Sequence, residues 1–147
     1  MDNDTPSLEY ENLQLLHTSA HASLFGYSPS KALILRADAN YIPMDEFQEL
    51  FEEIGQFVSK EGAIKLVFDK RQLTVFHQPS MEWYFVHWKE QMYLRGLRVH
   101  RKILPNDPLF VQSVKIAREK LNRLYPEGKF QQMNIQYAST LSEALLS

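Results

Sequence analysis

Apolar and polar positions along this 147-residue chain switch repeatedly between a period of two and a period near 3.6. Leu8 to His17 and His21 to Tyr27 are rich in Leu, Tyr and Phe with partial alternation, and read as two strands of a hairpin. Pro29-Ser30 signals a turn, and the continuous apolar run Ala32 to Leu35 reads as a buried strand. Pro43 then opens a helix. Met44, Phe47, Leu50, Phe51, Ile54, Phe57 and Val58 build one apolar face, Asp45 and Glu46 fall in the first turn, and Gly62 ends it. Ile64 to Phe68 is the next strand, followed by a loop from Asp69 to Pro79.

Ser80 is the expected cap of a second helix running to about Leu94, with Met81, Tyr84, Phe85, Trp88 and Met92 on its apolar face. Leu97 to Leu104 alternates, with Leu97, Val99 and Ile103 on one side and Arg98, His100 and Lys102 on the other, the pattern of a half-exposed strand. Asp107-Pro108 is a cap followed by a first-turn proline. Phe110, Val114, Ala117, Leu121 and Leu124 form the helix it starts, and Pro126 and Gly128 close it. Asn134 to Ala138 is a last strand. Thr140 to Glu143 is a capping box for a short final helix.

This order predicts an α/β fold: a mixed sheet of five to six strands, an antiparallel meander followed by β-α-β units, with helices mainly on one face. Residues 1–7 are expected to be a flexible lead and 8–147 one domain. Part of the second sheet face is expected to stay polar, and a homodimer could form through it or through an edge.

Several stretches carry a family likeness. Ile64 to Asp69 is a strand ending in Asp, Pro79 to Trp83 opens a helix, Gly96 to Val99 enters a strand, Pro108 to Phe110 opens a helix, and Tyr137 to Leu145 closes the domain. Together they resemble the SpoIIAA-like branch of the STAS fold, most closely short stand-alone bacterial STAS/SEC14-like proteins. The resemblance implies a non-enzymatic protein-interaction or regulatory module with a protein partner or a homodimer. Its SEC14-like side implies a carrier or sensor of a small apolar or lipid-like ligand. The chain departs from the family at one point. Anti-sigma-factor antagonists carry a phosphorylated Asp-Ser pair after the strand that here ends at Asp69. His77-Gln78 is the nearest match by position, with Ser80 two residues on and Thr74 before it.

Composition narrows the chemistry. The formal net charge is -2 and the pI near 6.2, which argues against broad nucleic-acid binding. There are no cysteines, so disulfide and thiolate chemistry are excluded. The acidic, polar start lacks the features of a secretory signal, and no apolar run is long enough to span a membrane, so a cytoplasmic location is expected. No phosphate-binding loop, dinucleotide fingerprint or nucleophile elbow is present, and no cofactor is expected. His17 and His21 stand four apart in strand and turn, where that spacing does not make a metal site.

The candidate sites each have a plainer explanation. Asp69 and Arg71 follow the carboxyl end of a strand, where open sheets bind ligands; Asp69 could simply cap a turn. Arg95, Arg98, His100, Arg101 and Lys102 form a basic stripe that could bind an anion or an acidic partner, with the Glu49, Glu52 and Glu53 face as its complement, or could merely protect an exposed strand. On this reading Arg101→Glu weakens assembly without unfolding the domain. Trp83 and Trp88, five apart, do not share one narrow helix face, so one is expected in the core and one at a rim. A dispersed acid–base pair, Asp69 with His77 or His100, completes the set, though spacing alone does not argue for it.

Overall fold

Six strands hydrogen-bond side by side in the order in which they occur along the chain. They are β1 (Gln14–Thr18), β2 (Ala22–Tyr27), β3 (Ala32–Ala37), β4 (Lys65–Asp69), β5 (Val99–Ile103) and β6 (Asn134–Tyr137). β1, β2 and β3 pair antiparallel, because the connections between them are too short for a crossover. β3 to β6 pair parallel through helical connections. The computed structural model describes residues 7–147, so nearly all of the expected N-terminal lead lies outside the described residues.

The crossover helices are α1 (Met44–Glu61), a segmented helix, and α4 (Pro108–Leu124). The segmented helix runs as α2 (Gln78–Trp83), a π-helical stretch (Tyr84–Trp88) and α3 (Lys89–Leu94). A last helix, α5 (Leu141–Leu146), follows β6. The caps are chemically explicit. Asp107 accepts from the Leu109 and Phe110 amides, and Thr140 accepts from the Glu143 amide. Gly62 terminates α1 at φ 72°, a left-handed conformation that glycine adopts without steric cost. Two boundaries differ from expectation. β1 begins at Gln14 because a 3₁₀ turn, Tyr10–Asn12, precedes it. His77, not Ser80, caps α2: its Nδ1 accepts from the Ser80 amide, and Ser80 lies inside the first turn.

The main core lies between the sheet and α1 to α4. Leu24, Leu35, Leu66 and Phe68 from the strands meet Phe51, Ile54, Phe85, Trp88, Val114 and Leu121 from the helices. The opposite face is not left polar over the middle of the sheet. Phe25, Ile34, Val67 and Ile103 are covered there by Leu141, Ala144 and Leu145 of α5, with Leu8, Tyr10 and Leu13 packed alongside. Lys65 fastens α5 by donating from Nζ to the carbonyls of Leu145 (3.1 Å) and Ser147 (2.9 Å). Exposed positions are confined to the flanking strands β1 and β6.

Strand β5 corrects the sequence reading. It sits between β4 and β6 with helices on both faces, so its charged residues cannot be solvent-exposed. His100, Arg101 and Lys102 are 0%, 3% and 1% exposed. His100 and Lys102 point into the main core; Arg101 points to the α5 side. Arg101 donates to the Ser147 hydroxyl (2.9 Å) and to the Asn134 and His100 carbonyls (2.9 and 3.1 Å). A glutamate at that position would set a buried carboxylate against those acceptors, so Arg101→Glu is expected to unfold the domain, not to act on assembly. No helix among the described residues is long and apolar enough to cross a membrane.

Candidate ligand pocket

At the carboxyl ends of β3 and β4 the chain leaves a recess roofed by the loop from Lys70 to His77. That loop is tied down by the Thr74 amide, which donates to the Asn40 carbonyl (3.0 Å). Phe47, Phe68, Leu73, Phe76, Tyr84 and Phe110 supply most of its apolar lining. The recess has room for about 50 Å³ of water-sized contents. Its position is the one open parallel sheets use for ligands, because strand ends and the following loops converge there.

The lining is apolar with few polar groups: Tyr41, Lys70, His77, Ser80 and the deep Tyr84 hydroxyl. None of the lining residues is acidic. His77 is occupied as a cap, with Nδ1 2.7 Å from the Ser80 hydroxyl. The Tyr84 hydroxyl meets His100 Nε2 at 2.7 Å in the core, and His100 Nδ1 lies 3.0 Å from the Leu66 carbonyl. A carbonyl can only accept, so Nδ1 carries the proton and Nε2 accepts from the phenol. Burial holds His100 well below the ordinary histidine value, so it is neutral.

Lys70 is the one cation in the lining. It is buried, its ammonium stands 4.8 Å from the centre of the Phe68 ring, and burial lowers its pKa to about 8. Behind it the cations continue. Lys102 lies beside Phe68 on the next strand, with Nζ 4.4 Å from the centre of Phe85. Lys89, from α3, reaches 3.5 Å from Phe85 and 4.4 Å from Tyr84. Neither Nζ has a hydrogen-bond partner among the described residues. Both amines are held well below the ordinary lysine value, first by burial and then by the neighbouring cations.

The other expected site residues separate. Asp69 points to the α5 face, away from the recess, where Arg71 grips it from Nε (2.9 Å) and from the second guanidinium nitrogen (2.7 Å), and Tyr10 donates at 2.7 Å. Burial pushes the Asp69 carboxyl up, but the hydrogen bonds from Arg71 and Tyr10 outweigh it and leave it below the usual range. Asp69 is thus fully engaged in a turn, and neither His77 nor His100 is among its partners. Arg95 and Arg98 stay exposed, so the expected stripe is divided between surface and core.

Of the two tryptophans, one lies in the core and one at its rim, as expected, but they share one side of the helix. Trp88 is buried and donates from Nε1 to the Phe51 carbonyl at 2.7 Å. Trp83 is half-buried, yet it packs on the same Phe51 ring, at 6.4 Å against 4.9 Å for Trp88. The π-helical stretch between them widens the turn, and so brings residues five apart onto one side.

Comparison with family models, with curated proteins and with solved structures finds no match to this chain.

Lys89 was not singled out from the sequence; Lys70 stands in the candidate loop after Asp69 and Tyr84 in the aromatic cluster around Trp83 and Trp88, but neither was given a role of its own. Lys89 did leave a trace: it stands four after Phe85 and three before Met92, on the apolar face itself, where a lysine has no surface reason to be.

Proposed function

We propose that this chain binds a small amphiphile, an apolar body with an acidic end, as a carrier or sensor. The observation that carries the reading is the recess at the ends of β3 and β4: aromatic and aliphatic walls, no acidic lining, and one buried cation, Lys70. Apolar walls supply affinity by releasing water, and a single charged group fixes orientation. Native mass spectrometry of the purified protein, set against its denatured mass, tests this. A bound species is expected, with only its small end inside the recess and the rest at the mouth, and Leu73→Trp, which fills the recess from its roof, is expected to lose it. Bare protein in both cases would sink the proposal.

A second reading, a protein-interaction module of STAS-like type, is supported by two observations. The element order is the one that resemblance leads one to expect, an antiparallel start followed by parallel β-α-β units. A surface groove between α1 and α3, with Trp83, Trp88 and Met92 along it, offers the apolar contact that a protein partner uses. Trp83→Ala separates the readings: it should leave small-ligand binding intact and weaken a protein partner.

A further inference from the structure

Four lysines of this fold are buried, and they differ in what their amines can reach. Lys65 spends its amine on the carbonyls of Leu145 and Ser147. Lys89 and Lys102 are enclosed in the core. Lys70 lines the recess. Its Nζ makes no hydrogen bond or ion pair among the described residues, and its nearest ring is Phe68, 4.8 Å away at the centre. The recess therefore holds a single amine, unpartnered, with an apolar lining around it and no carboxylate beside it.

An amine so placed behaves unlike one on the surface. The ammonium form has lost much of its hydration and has no acceptor in its place, whereas the free amine suffers far less from burial. The pKa of about 8 agrees with that geometry. At pH 7 about a tenth of such amines are free, against roughly one in three thousand for an ordinary lysine. A free amine in an apolar pocket is a nucleophile, and its natural partner is a carbonyl carbon. The imine that results is uncharged, so the lining that disfavours the ammonium does not disfavour the product. Size narrows the choice further. Room for about 50 Å³ of water-sized contents admits a formyl group on an unbranched chain, and not a carbonyl flanked by a quaternary carbon.

We infer that Lys70 forms a reversible imine with straight-chain aliphatic aldehydes whose formyl end enters the recess. The nitrogen lone pair adds to the carbonyl carbon, and a proton passes from nitrogen to oxygen to give a carbinolamine. The carbinolamine then loses its hydroxyl and the remaining nitrogen proton as one water, leaving a C=N bond. Nothing is oxidised or reduced, and water reverses the step. The inference rests on the reading of the recess as the seat for the polar end of an apolar molecule. It adds a second kind of end group: the ammonium form of Lys70 holds a carboxylate, and the free amine takes a carbonyl.

Treatment of the whole protein with hexanal at pH 7 in the presence of cyanoborohydride, followed by peptide mass mapping, tests it. The reductant converts any imine to a stable hexyl-lysine. Lys70 is expected to be labelled at least about tenfold faster than the exposed Lys31, Lys60, Lys115 and Lys120. Pivaldehyde, with its quaternary carbon, should show no such preference. Leu73→Trp, with its fold checked by circular dichroism, should abolish the preference for Lys70 and leave labelling of the exposed lysines unchanged. A preference that survives in Leu73→Trp, or that extends to pivaldehyde, would overturn the assignment to the recess. No preference for Lys70 in the wild type, with hexanoate still binding by calorimetry, would overturn the imine and leave the amphiphile reading standing. No preference and no hexanoate binding would overturn both.

Discussion

Tyr84 and His100 illustrate how a buried polar pair settles its own chemistry. Burial keeps the imidazole neutral, and in that form it donates to the Leu66 carbonyl and accepts from the Tyr84 hydroxyl, so both ring nitrogens are satisfied. Removing the phenol oxygen would orphan Nε2 in the core. Tyr84→Phe is therefore expected to destabilise the fold by about 1–3 kcal/mol, as measured by urea denaturation. A stability equal to wild type would mean that water reaches the imidazole. The alternation of β5 in the sequence is genuine, and it told correctly that His100 and Lys102 share a face. It could not tell that this face is covered, because alternation reports relative direction and not which layer lies above.

At the scale of elements, the segmented helix decides where the aromatics go. An uninterrupted α-helix would turn Trp83 and Trp88 through different directions; the π-helical stretch lets both rest on Phe51. Gly55 admits the close approach of this helix to α1: a Cβ there would stand 3.2 Å from the Met92 terminal carbon and 3.7 Å from Trp88 Nε1. The two tryptophans nevertheless differ in what they contribute. Trp88→Phe removes a buried hydrogen bond to the Phe51 carbonyl and leaves a void, so a loss of about 2–4 kcal/mol is expected. Trp83→Phe should cost under about 1 kcal/mol, since its ring is partly in solvent and its indole makes no hydrogen bond among the described residues. Thermal melts of the two variants check the asymmetry, and similar losses would count against it. Helix boundaries and apolar faces were legible from spacing. The π-helical stretch was not, because no residue in Tyr84 to Trp88 forbids ordinary helix; packing against α1 selects it.

The whole molecule joins a legible architecture to an illegible interior. Strand order, the antiparallel opening and the parallel remainder follow from connection length and element type, both visible in the sequence. Which charges the central strands bury follows only from the assembled layers, and it has a consequence for the dependence of stability on pH. Lys70 titrates at about 8 in the fold, and Lys89 and Lys102 lie well below the ordinary lysine value of 10.5. Between those folded values and 10.5 the unfolded chain holds protons that the folded chain has released, so stability rises with pH, by about 1.4 kcal/mol per pH unit for each proton of difference. Below the folded values the amines are charged in both states and the full penalty remains. Above pH 10 the sign reverses: burial raises the Tyr84 and Tyr10 phenols, so the unfolded chain loses protons that the fold retains. Toward acid, His100 is depressed by burial, so stability also falls as the unfolded imidazole protonates below its ordinary 6.5. The melting temperature is therefore expected to climb from about pH 7 to a maximum between about pH 9 and 10, above the usual range of about pH 5 to 8. A Lys89→Met, Lys102→Met double variant should melt higher at neutral pH and keep only the part of the climb that Lys70 supplies. A wild-type maximum at neutral pH, with the double variant no more stable there, would mean that the two ammoniums reach solvent or an anion in the free protein.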